Sequence, residues 1–348
     1  MKDVLRTLFI LSGIVAGLAV AFLVKESVSI ARGAMPNALA LGKVSYMEDV
    51  EKKGDPVEIE EEKEDVIQEE VSAYSKKSLD GISKGGKVMA SGLSARYKKI
   101  EHEYSFPKVT SASYVVADID TGDIIAYRYP DKVYPIASLS KLMTALVSFE
   151  TLDFSNVVKV SRDAVSTYGA AGGLSAGDSM TVWQILHPLL LASSNDAAEA
   201  IAESVGRDNF MKNMNKKAKS LGLKNTSFDD PSGLSENNIS TSKELFDLTK
   251  YIYDKHPEIL EITSEKKFEF DDWTWYNHSR FRNDENYIGG KNGFTDYAQH
   301  TLISVFELPL GERGETRNIA VVLLNGHKTE NDMRSIVAYL NKNIEYVK

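Results

Sequence analysis

Residues 134–146 of the chain read YPIASLSKLMTAL. A helix opened by Pro135 would place Ser138 near its N-terminus and Lys141 one turn further on, with both side chains on one face. A serine beside a lysine is a nucleophile with its own base, provided that burial or a second cation depresses the pKa of the amine. The stretch therefore predicts covalent catalysis by Ser138, although Ser-x-x-Lys alone is also typical of an ordinary helix surface.

Two further motifs follow in the chain. Residues 190–198 read LLASSNDAA and contain Ser193-x-Asn195. Residues 289–295 read GGKNGFT and contain a variant of Lys-Thr-Gly. Ser-x-x-Lys, Ser-x-Asn and Lys-Thr-Gly in this order are typical of active-site-serine penicillin-binding enzymes. Each motif is weak alone, but the three in this order are a strong indication.

Composition excludes several classes of function. The 348 residues are 43% apolar and 26% charged, which indicates a globular domain with appendages. The net charge of -9 argues against nucleic-acid binding. With no cysteine and six scattered histidines, the chain offers no thiolate chemistry and little support for a zinc site. We expect no metal and no other cofactor.

The N-terminus carries a candidate membrane segment, within residues 1–31. Residues 7–24 are almost wholly apolar, and a run of about 18 such residues just reaches the length that spans a bilayer. Lys2 and Arg6 weakly favour a cytoplasmic N-terminus. We therefore expect a retained single-pass anchor in the cell membrane, with the body of the protein outside the cytoplasm. The small-residue site at residues 38–40 leaves open cleavage and secretion.

Residues 32–106 form the next region, which lacks a sustained apolar period. Residues 58–65 read EIEEEKED, an acidic run that repels itself. Such a composition is typical of a solvated, largely disordered spacer. The catalytic domain is then expected to occupy residues 107–348.

The pattern of the third region predicts strands at both ends with helices between them. Residues 114–119 and 123–129 indicate a β-hairpin across a Gly-containing turn. The remaining predicted elements are helices near 182–191, 196–205 and 210–221, a helix capped at Thr241, strands at 287–291, 299–306 and 317–324, and a helix over 330–346. This order predicts a multi-layer α/β fold in which a mainly antiparallel sheet is flanked by helices and carries an inserted helical subdomain.

From about Phe106 to the C-terminus, the chain resembles the D-alanyl-D-alanine carboxypeptidases, low-molecular-mass penicillin-binding proteins of the β-lactamase/transpeptidase-like fold. The resemblance includes the three motifs and three further stretches, residues 176–182, 214–223 and 226–234. It implies a serine peptidase that removes the terminal D-Ala from peptidoglycan stem peptides and is acylated by β-lactams. It also implies a place in cell-wall biogenesis and cell shape.

The resemblance implies a role for each motif residue. Ser138 is the acylated nucleophile, Lys141 its base, Ser193 a proton relay and Asn195 a hydrogen-bonding partner of the substrate amide. On the edge strand, Lys291 supplies positive charge near the substrate carboxylate, and Gly293 lets substrate lie against the strand. The backbone N–H groups of Ser138 and Phe294 form the oxyanion hole.

One position departs from the family pattern. Asn292 stands where the family usually has threonine or serine, so a larger amide replaces a small hydroxyl. An amide still donates hydrogen bonds, and Thr295 keeps a hydroxyl near the expected carboxylate pocket. Three functions therefore stay open: a D-Ala-D-Ala peptidase, with carboxypeptidase or endopeptidase preference undecided; a serine β-lactamase; and a membrane-anchored penicillin-binding sensor or inactive scaffold.

Overall fold

The computed structural model describes residues 96–100, 105–169, 172–310 and 315–347. The predicted membrane segment and most of the predicted spacer lie outside these ranges. The described strands are β1 Tyr97–Lys99, β2 Ser113–Asp118, β3 Ile124–Arg128, β4 Tyr134–Pro135, β5 Val157–Lys159, β6 Ser179–Thr181, β7 Ile239–Ser240, β8 Lys267–Phe270, β9 Trp273–Tyr276, β10 Tyr287–Thr295, β11 Gln299–Leu308, β12 Arg317–Gly326 and β13 Ile344–Tyr346.

The described α-helices lie mostly between β3 and β10. They are α1 Ser140–Thr151, α2 Arg162–Val165, α3 Val182–Leu190, α4 Asn195–Ser204, α5 Arg207–Ser220, α6 Ser242–Lys255, α7 Pro257–Ser264 and α8 Thr329–Asn343. A short 3-10 turn, Ala137–Leu139, precedes α1.

The main sheet has five strands in the order β10-β11-β12-β2-β3, and every neighbouring pair is antiparallel. Successive residues of β12 belong to opposite faces, as the period of two in a strand requires. Ala320 and Val322 join the core on one face, whereas Val321 and Leu323 join the core on the other. Both faces of this strand are therefore covered.

Helices supply the two outer layers. Helix α6 contacts β2 and β12 and buries Leu245 and Ile252 in the first core. Helix α8 contacts β11 and β12 and buries Met333 and Ile336 in the second core. Together with the helical insertion between β3 and β10, these layers confirm the predicted α/β fold with its mainly antiparallel sheet.

The predicted hairpin is β2 and β3, and the three predicted C-terminal strands are β10, β11 and β12. The last predicted helix was too long, because α8 ends at Asn343 and Ile344–Tyr346 is a strand. Ile344 is buried in the second core, which accounts for its apolar character without a further helical turn.

Strand β1 lies within the region expected to be spacer, so the folded part of the chain begins earlier than the predicted boundary at residue 107. It pairs antiparallel with β13. Tyr97 is buried, and its hydroxyl donates to Asp118, whose Oδ2 also accepts from the Arg317 guanidinium at 2.6 and 2.8 Å. A strand of three residues is too short to show a period in the sequence.

The hairpin of β8 and β9 was not predicted. Its apolar side chains form a stacked aromatic row in which Phe268, Trp275, Trp273 and Phe270 follow one another at ring-centroid distances of 5.9 to 6.2 Å. This row packs on the first core. None of the helices in the described ranges is both long and apolar enough to cross a bilayer.

Candidate active site

The segment that carries Ser138 differs locally from the predicted helix. Pro135 does not open a helix but pairs with Ile239 in the small β4–β7 ladder. Ala137 has a φ of 50°, a sparsely populated conformation for a residue with a side chain. Ser138 then lies in the 3-10 turn, and α1 begins at Ser140. This turn leaves Ser138 half-buried and still one turn before Lys141.

Lys141 points at the serine from inside the protein. Its Nζ atom lies 3.1 Å from Oγ of Ser138, 2.7 Å from Oδ1 of Asn195 and 2.6 Å from the carbonyl oxygen of Ser232. The side chain is 0% exposed. Burial holds the pKa of Lys141 well below its usual value, and the nearby charge of Lys291 lowers that pKa further. A neutral amine is thus accessible, as proton abstraction from serine requires.

The second motif lies at the start of α4. The side chain of Asn195 is fixed at both ends, since its Nδ2 donates to the carbonyl of Tyr168 at 2.8 Å while its Oδ1 accepts from Lys141. Ser193 has a φ of 59°, and its Oγ accepts from Nζ of Lys291 at 2.8 Å. The two motif residues therefore contact different lysines.

Lys291 is the second buried cation. It is 3% exposed, and burial lowers its pKa to about 7. Besides Ser193, its Nζ donates to the carbonyl of Asn292 at 2.9 Å. The three sequence motifs thus converge through two lysines and two serines.

Strand β10 passes directly against the serine. A Cβ on Gly293 would lie 2.8 Å from the backbone nitrogen of Ser138, so only glycine fits this close approach. Phe294 directly follows Gly293, so the backbone N–H groups of Ser138 and Phe294 belong to two segments in close contact. Such a pair suits an oxyanion hole, in which each donor typically contributes about 3 kcal/mol to acyl transfer.

Side chains of β10 alternate between the interior and solvent. Lys291 and Gly293 are buried, whereas Asn292 and Phe294 are exposed. Asn292 therefore lies on the face of the strand opposite Lys291. Thr295 ends the strand, and its hydroxyl accepts from the N–H of Ala298 in the turn, at 3.1 Å. The substrate contact expected of this hydroxyl stays a prediction.

Sequence reasoning gave no role to residues 230–235, which contact Lys141 and the segment that carries Ser138. Asp230 accepts hydrogen bonds from the backbone N–H groups of Ser232, Gly233 and Ser235 at 2.6 to 2.7 Å. Although burial alone would raise the pKa of Asp230, the hydrogen bond from the Ser232 hydroxyl at 2.7 Å and these backbone bonds lower it. The resulting turn presents the Ser232 carbonyl to Lys141. The Asp-Pro-Ser-Gly sequence at 230–233 is the signal of such a turn.

Gly233 ties this turn to the nucleophile. Its φ is 89°, and a Cβ there would lie 2.0 Å from the carbonyl oxygen of Ala137 and 3.0 Å from the nitrogen of Ser138. Ser138 is thus held between two glycines, Gly233 and Gly293. Within the described ranges, no group of three histidine or carboxylate side chains could hold a metal ion.

Comparison with known proteins agrees with this geometry. Residues 100–327 match the family model of the S11 peptidases, described as D-alanyl-D-alanine carboxypeptidase. The carboxypeptidase DacF of Bacillus subtilis is 34% identical over 228 residues, which cover 60% of this chain and 56% of DacF. The D-alanyl-D-alanine endopeptidase of Escherichia coli is 36% identical over 214 residues, 57% of this chain and 68% of that protein. The match with DacF thus spans little more than half of that relative.

Solved structures agree as well. A D-alanyl-D-alanine carboxypeptidase from Mycobacterium tuberculosis aligns with a TM-score of 0.62 at 26% identity, over 71% of this chain and 98% of that one. Penicillin-binding protein D2 from Listeria monocytogenes, in its cefotaxime-bound form, aligns with a TM-score of 0.61 at 27% identity, over 69% of this chain and all of that one. The family match covers well over half of the sequence, and on that ground the chain belongs to the D-alanyl-D-alanine carboxypeptidase family of S11 peptidases.

Proposed function

We propose that the protein is a serine D-Ala-D-Ala carboxypeptidase that acts on peptidoglycan stem peptides and is acylated by β-lactams. The observation that carries the proposal is the fully buried Lys141, whose Nζ lies 3.1 Å from Oγ of Ser138. Family membership supports the same activity.

In the proposed acylation, neutral Lys141 takes the proton of Ser138 as Oγ attacks the carbonyl between the two D-Ala residues. The backbone N–H groups of Ser138 and Phe294 stabilise the oxyanion. When the tetrahedral intermediate collapses, the peptide C–N bond breaks, and the proton that Lys141 took passes by way of Ser193 to the leaving amine, which leaves Lys141 neutral again. Terminal D-Ala departs. Water then attacks the ester carbonyl while neutral Lys141 takes a proton from it, and this proton returns to Oγ of Ser138 as the ester C–O bond breaks.

Lys291 has two roles in this mechanism. It donates to Ser193 and so orients the proton relay, and in its protonated form it supplies the charge that complements the substrate carboxylate. Asn195 holds Lys141 and offers its amide to the peptide. Gly293 lets strand β10 pass close to the backbone of Ser138.

The direct test has two measurements on the full chain. Incubation with a synthetic peptide that ends in D-Ala-D-Ala should release free D-Ala. Incubation with a penicillin should add the mass of the drug to a peptide that contains Ser138, and Ser138→Ala should abolish this label. Labelling that survives in Ser138→Ala would refute the assignment of the nucleophile.

The same measurements separate the alternatives. Rapid turnover of penicillin without a lasting acyl-enzyme would indicate a β-lactamase, and labelling without release of D-Ala would indicate a sensor or scaffold. The E. coli relative is an endopeptidase, and cutting a D-Ala cross-link would use the same acyl transfer. Cross-linked and free stem peptides should therefore be compared as substrates.

We also propose that residues 7–24 anchor the protein in the cell membrane with its catalytic domain outside. The length of the apolar run supports this placement. N-terminal sequencing of membrane-extracted protein should find the segment retained. A soluble product whose N-terminus lies near Gly42 would show a cleaved signal instead.

A further inference from the structure

Four aromatic side chains are unusually exposed. Among the described residues, the only aromatic side chains that are more than half exposed are Tyr168 at 86%, Tyr297 at 64%, Tyr276 at 62% and Phe294 at 53%. A single exposed ring needs no explanation, but a group of exposed rings in one region marks an interaction site. The positions of the four rings therefore decide whether they indicate an interaction site.

Two of the four lie on segments in direct contact with catalytic groups. The carbonyl of Tyr168 accepts the hydrogen bond from Nδ2 of Asn195 at 2.8 Å. Phe294 directly follows Gly293, whose missing Cβ leaves room for the backbone of Ser138. Both rings therefore belong to segments that touch the site through their backbone.

The other two rings lie a few residues along the chain from segments that contact the motif residues. Tyr276 ends β9, and two residues later the N–H of His278 donates to the carbonyl of Leu191 at 2.9 Å, just before Ser193. Tyr297 lies in the turn between β10 and β11, beyond Phe294. All four residues thus belong to segments that contact the motif residues or continue directly from such a segment. By contrast Tyr129, which is 44% exposed, follows β3 at the opposite edge of the main sheet.

We propose that Tyr168, Tyr276, Phe294 and Tyr297 form an aromatic rim that binds pyranose rings of the glycan strand from which the stem peptide extends. This inference rests on the proposed function, since it names the part of the substrate that lies outside the reacting D-Ala-D-Ala. A sugar ring has an apolar C–H face and polar edges, and a tyrosine offers an apolar ring and a polar tip.

The position of the rim favours a ligand joined to the substrate. Strand β10 ends at Thr295, which at about 3.3 Å per residue is about 7 Å beyond Gly293, and Tyr297 lies further on in the turn. The single D-Ala that departs spans only about one residue, so it does not reach this ring. Asp296 precedes Tyr297 in this turn. Its carboxylate repels negative charge, which disfavours an acidic peptide as the ligand of the rim. An uncharged saccharide joined to the stem peptide can extend beyond the reacting dipeptide and is not repelled by Asp296.

The test compares two substrates with the same stem peptide, one free and one attached to soluble glycan chains. For the full-length protein, we expect kcat/KM to be at least several-fold higher with the attached peptide. The double variant Tyr276→Ala/Tyr297→Ala should lower this preference by about tenfold, because two aromatic contacts are lost. Glycan chains without peptides should inhibit the unmodified protein and should inhibit the double variant much less.

The controls keep this inference separate from the proposed function. Penicillin acylation of Ser138 and release of D-Ala from the free peptide should be unchanged in the double variant, which also shows that it folds. Tyr129→Ala should keep the preference for the attached peptide. A double variant that retains the full preference, or an unmodified protein without one, would overturn the rim while leaving the peptidase activity established.

Two further outcomes are also decisive. If the double variant keeps its preference for the attached peptide but no longer binds a protein that the unmodified chain binds, the rim binds that protein. This outcome would refute the proposal that the rim binds glycan. Absence of both D-Ala release and penicillin acylation in the unmodified protein would instead refute the proposed function.

Discussion

The Nζ atom of Lys141 lies closer to the carbonyl oxygen of Ser232, at 2.6 Å, than to the hydroxyl of Ser138, at 3.1 Å. A lysine in this position is held by a backbone acceptor on one side and is free to act on the nucleophile on the other. Its direction is set by the protein and not by the substrate. This arrangement is the preorganisation that a general base requires.

We predict that Lys141→Arg lowers the rate of penicillin acylation by about 10²-fold or more, because a guanidinium keeps its proton in a protein. The measurement is the rate of acyl-enzyme formation, with circular dichroism to show the fold. Lys217→Arg is the matched control, since Lys217 pairs with Glu150 at 2.6 Å on another helix. Normal acylation in the folded Lys141→Arg protein would make Lys141 an ordinary buried lysine.

We predict that recognition of the substrate carboxylate depends on pH. The pKa of Lys291 is about 7 in the folded protein, so Lys291 is charged below this pH and loses its charge above it. For a peptide with a free C-terminus, kcat/KM relative to that of the same peptide with an amidated C-terminus should therefore fall as pH rises through about 7. Taking this ratio cancels the titration of Lys141, which affects both peptides.

The control for this pH dependence is Lys291→Arg, which keeps its charge and should give a ratio that no longer varies with pH. A ratio that stays constant in the unmodified protein would show that Lys291 does not contribute charge to carboxylate recognition.

We predict that Asn292→Thr raises acylation by penicillin and D-Ala release from a free C-terminus by about tenfold, the effect of one charge-assisted hydrogen bond. The side chain is exposed, so the free energy of unfolding should be unchanged. A peptide with an amidated C-terminus should gain much less. If the substitution lowers both activities, Asn292 is adapted to a different substrate.

We predict that Gly233→Ala lowers both stability and acylation. The positive φ of Gly233 costs a residue with a side chain about 1–3 kcal/mol, and the clash with Ala137 would displace the serine. Thermal unfolding and penicillin acylation measure the two effects. Gly206→Ala is the control, because its φ is 82° and a Cβ there has nothing within 4 Å. That variant should lose stability only; equal acylation in both variants would contradict the prediction.

Much of this site could be predicted from the sequence, because each motif is short and its own spacing carries the chemistry. Ser138 and Lys141 remain one turn apart whether that turn is 3-10 or α-helical. The hairpin of β2 and β3 and the strands β10 to β12 could be predicted from their periods and turns.

What escaped prediction depends on contacts between distant parts of the chain. The contact between Lys141 and Ser232 is made by a backbone carbonyl, which leaves no signature in side-chain identity. Pro135 looks like the first residue of a helix until Ile239 provides a strand for it to pair with. The indole N–H of Trp275 donates to the carbonyl of Gly172 at 2.6 Å. These residues are far apart in the sequence, so no local pattern reveals the bond.

The docking of β1 has a mechanical consequence. A pull on the chain at residue 96 would be resisted first by the β1–β13 ladder and by the bonds that join Tyr97, Asp118 and Arg317. Asp118 and Arg317 belong to β2 and β12, so the load would pass into the middle of the main sheet. Strand β10, which contacts Ser138, is two places away from β12 at the edge. Tension applied at residue 96 should therefore leave the contact between β10 and Ser138 unchanged.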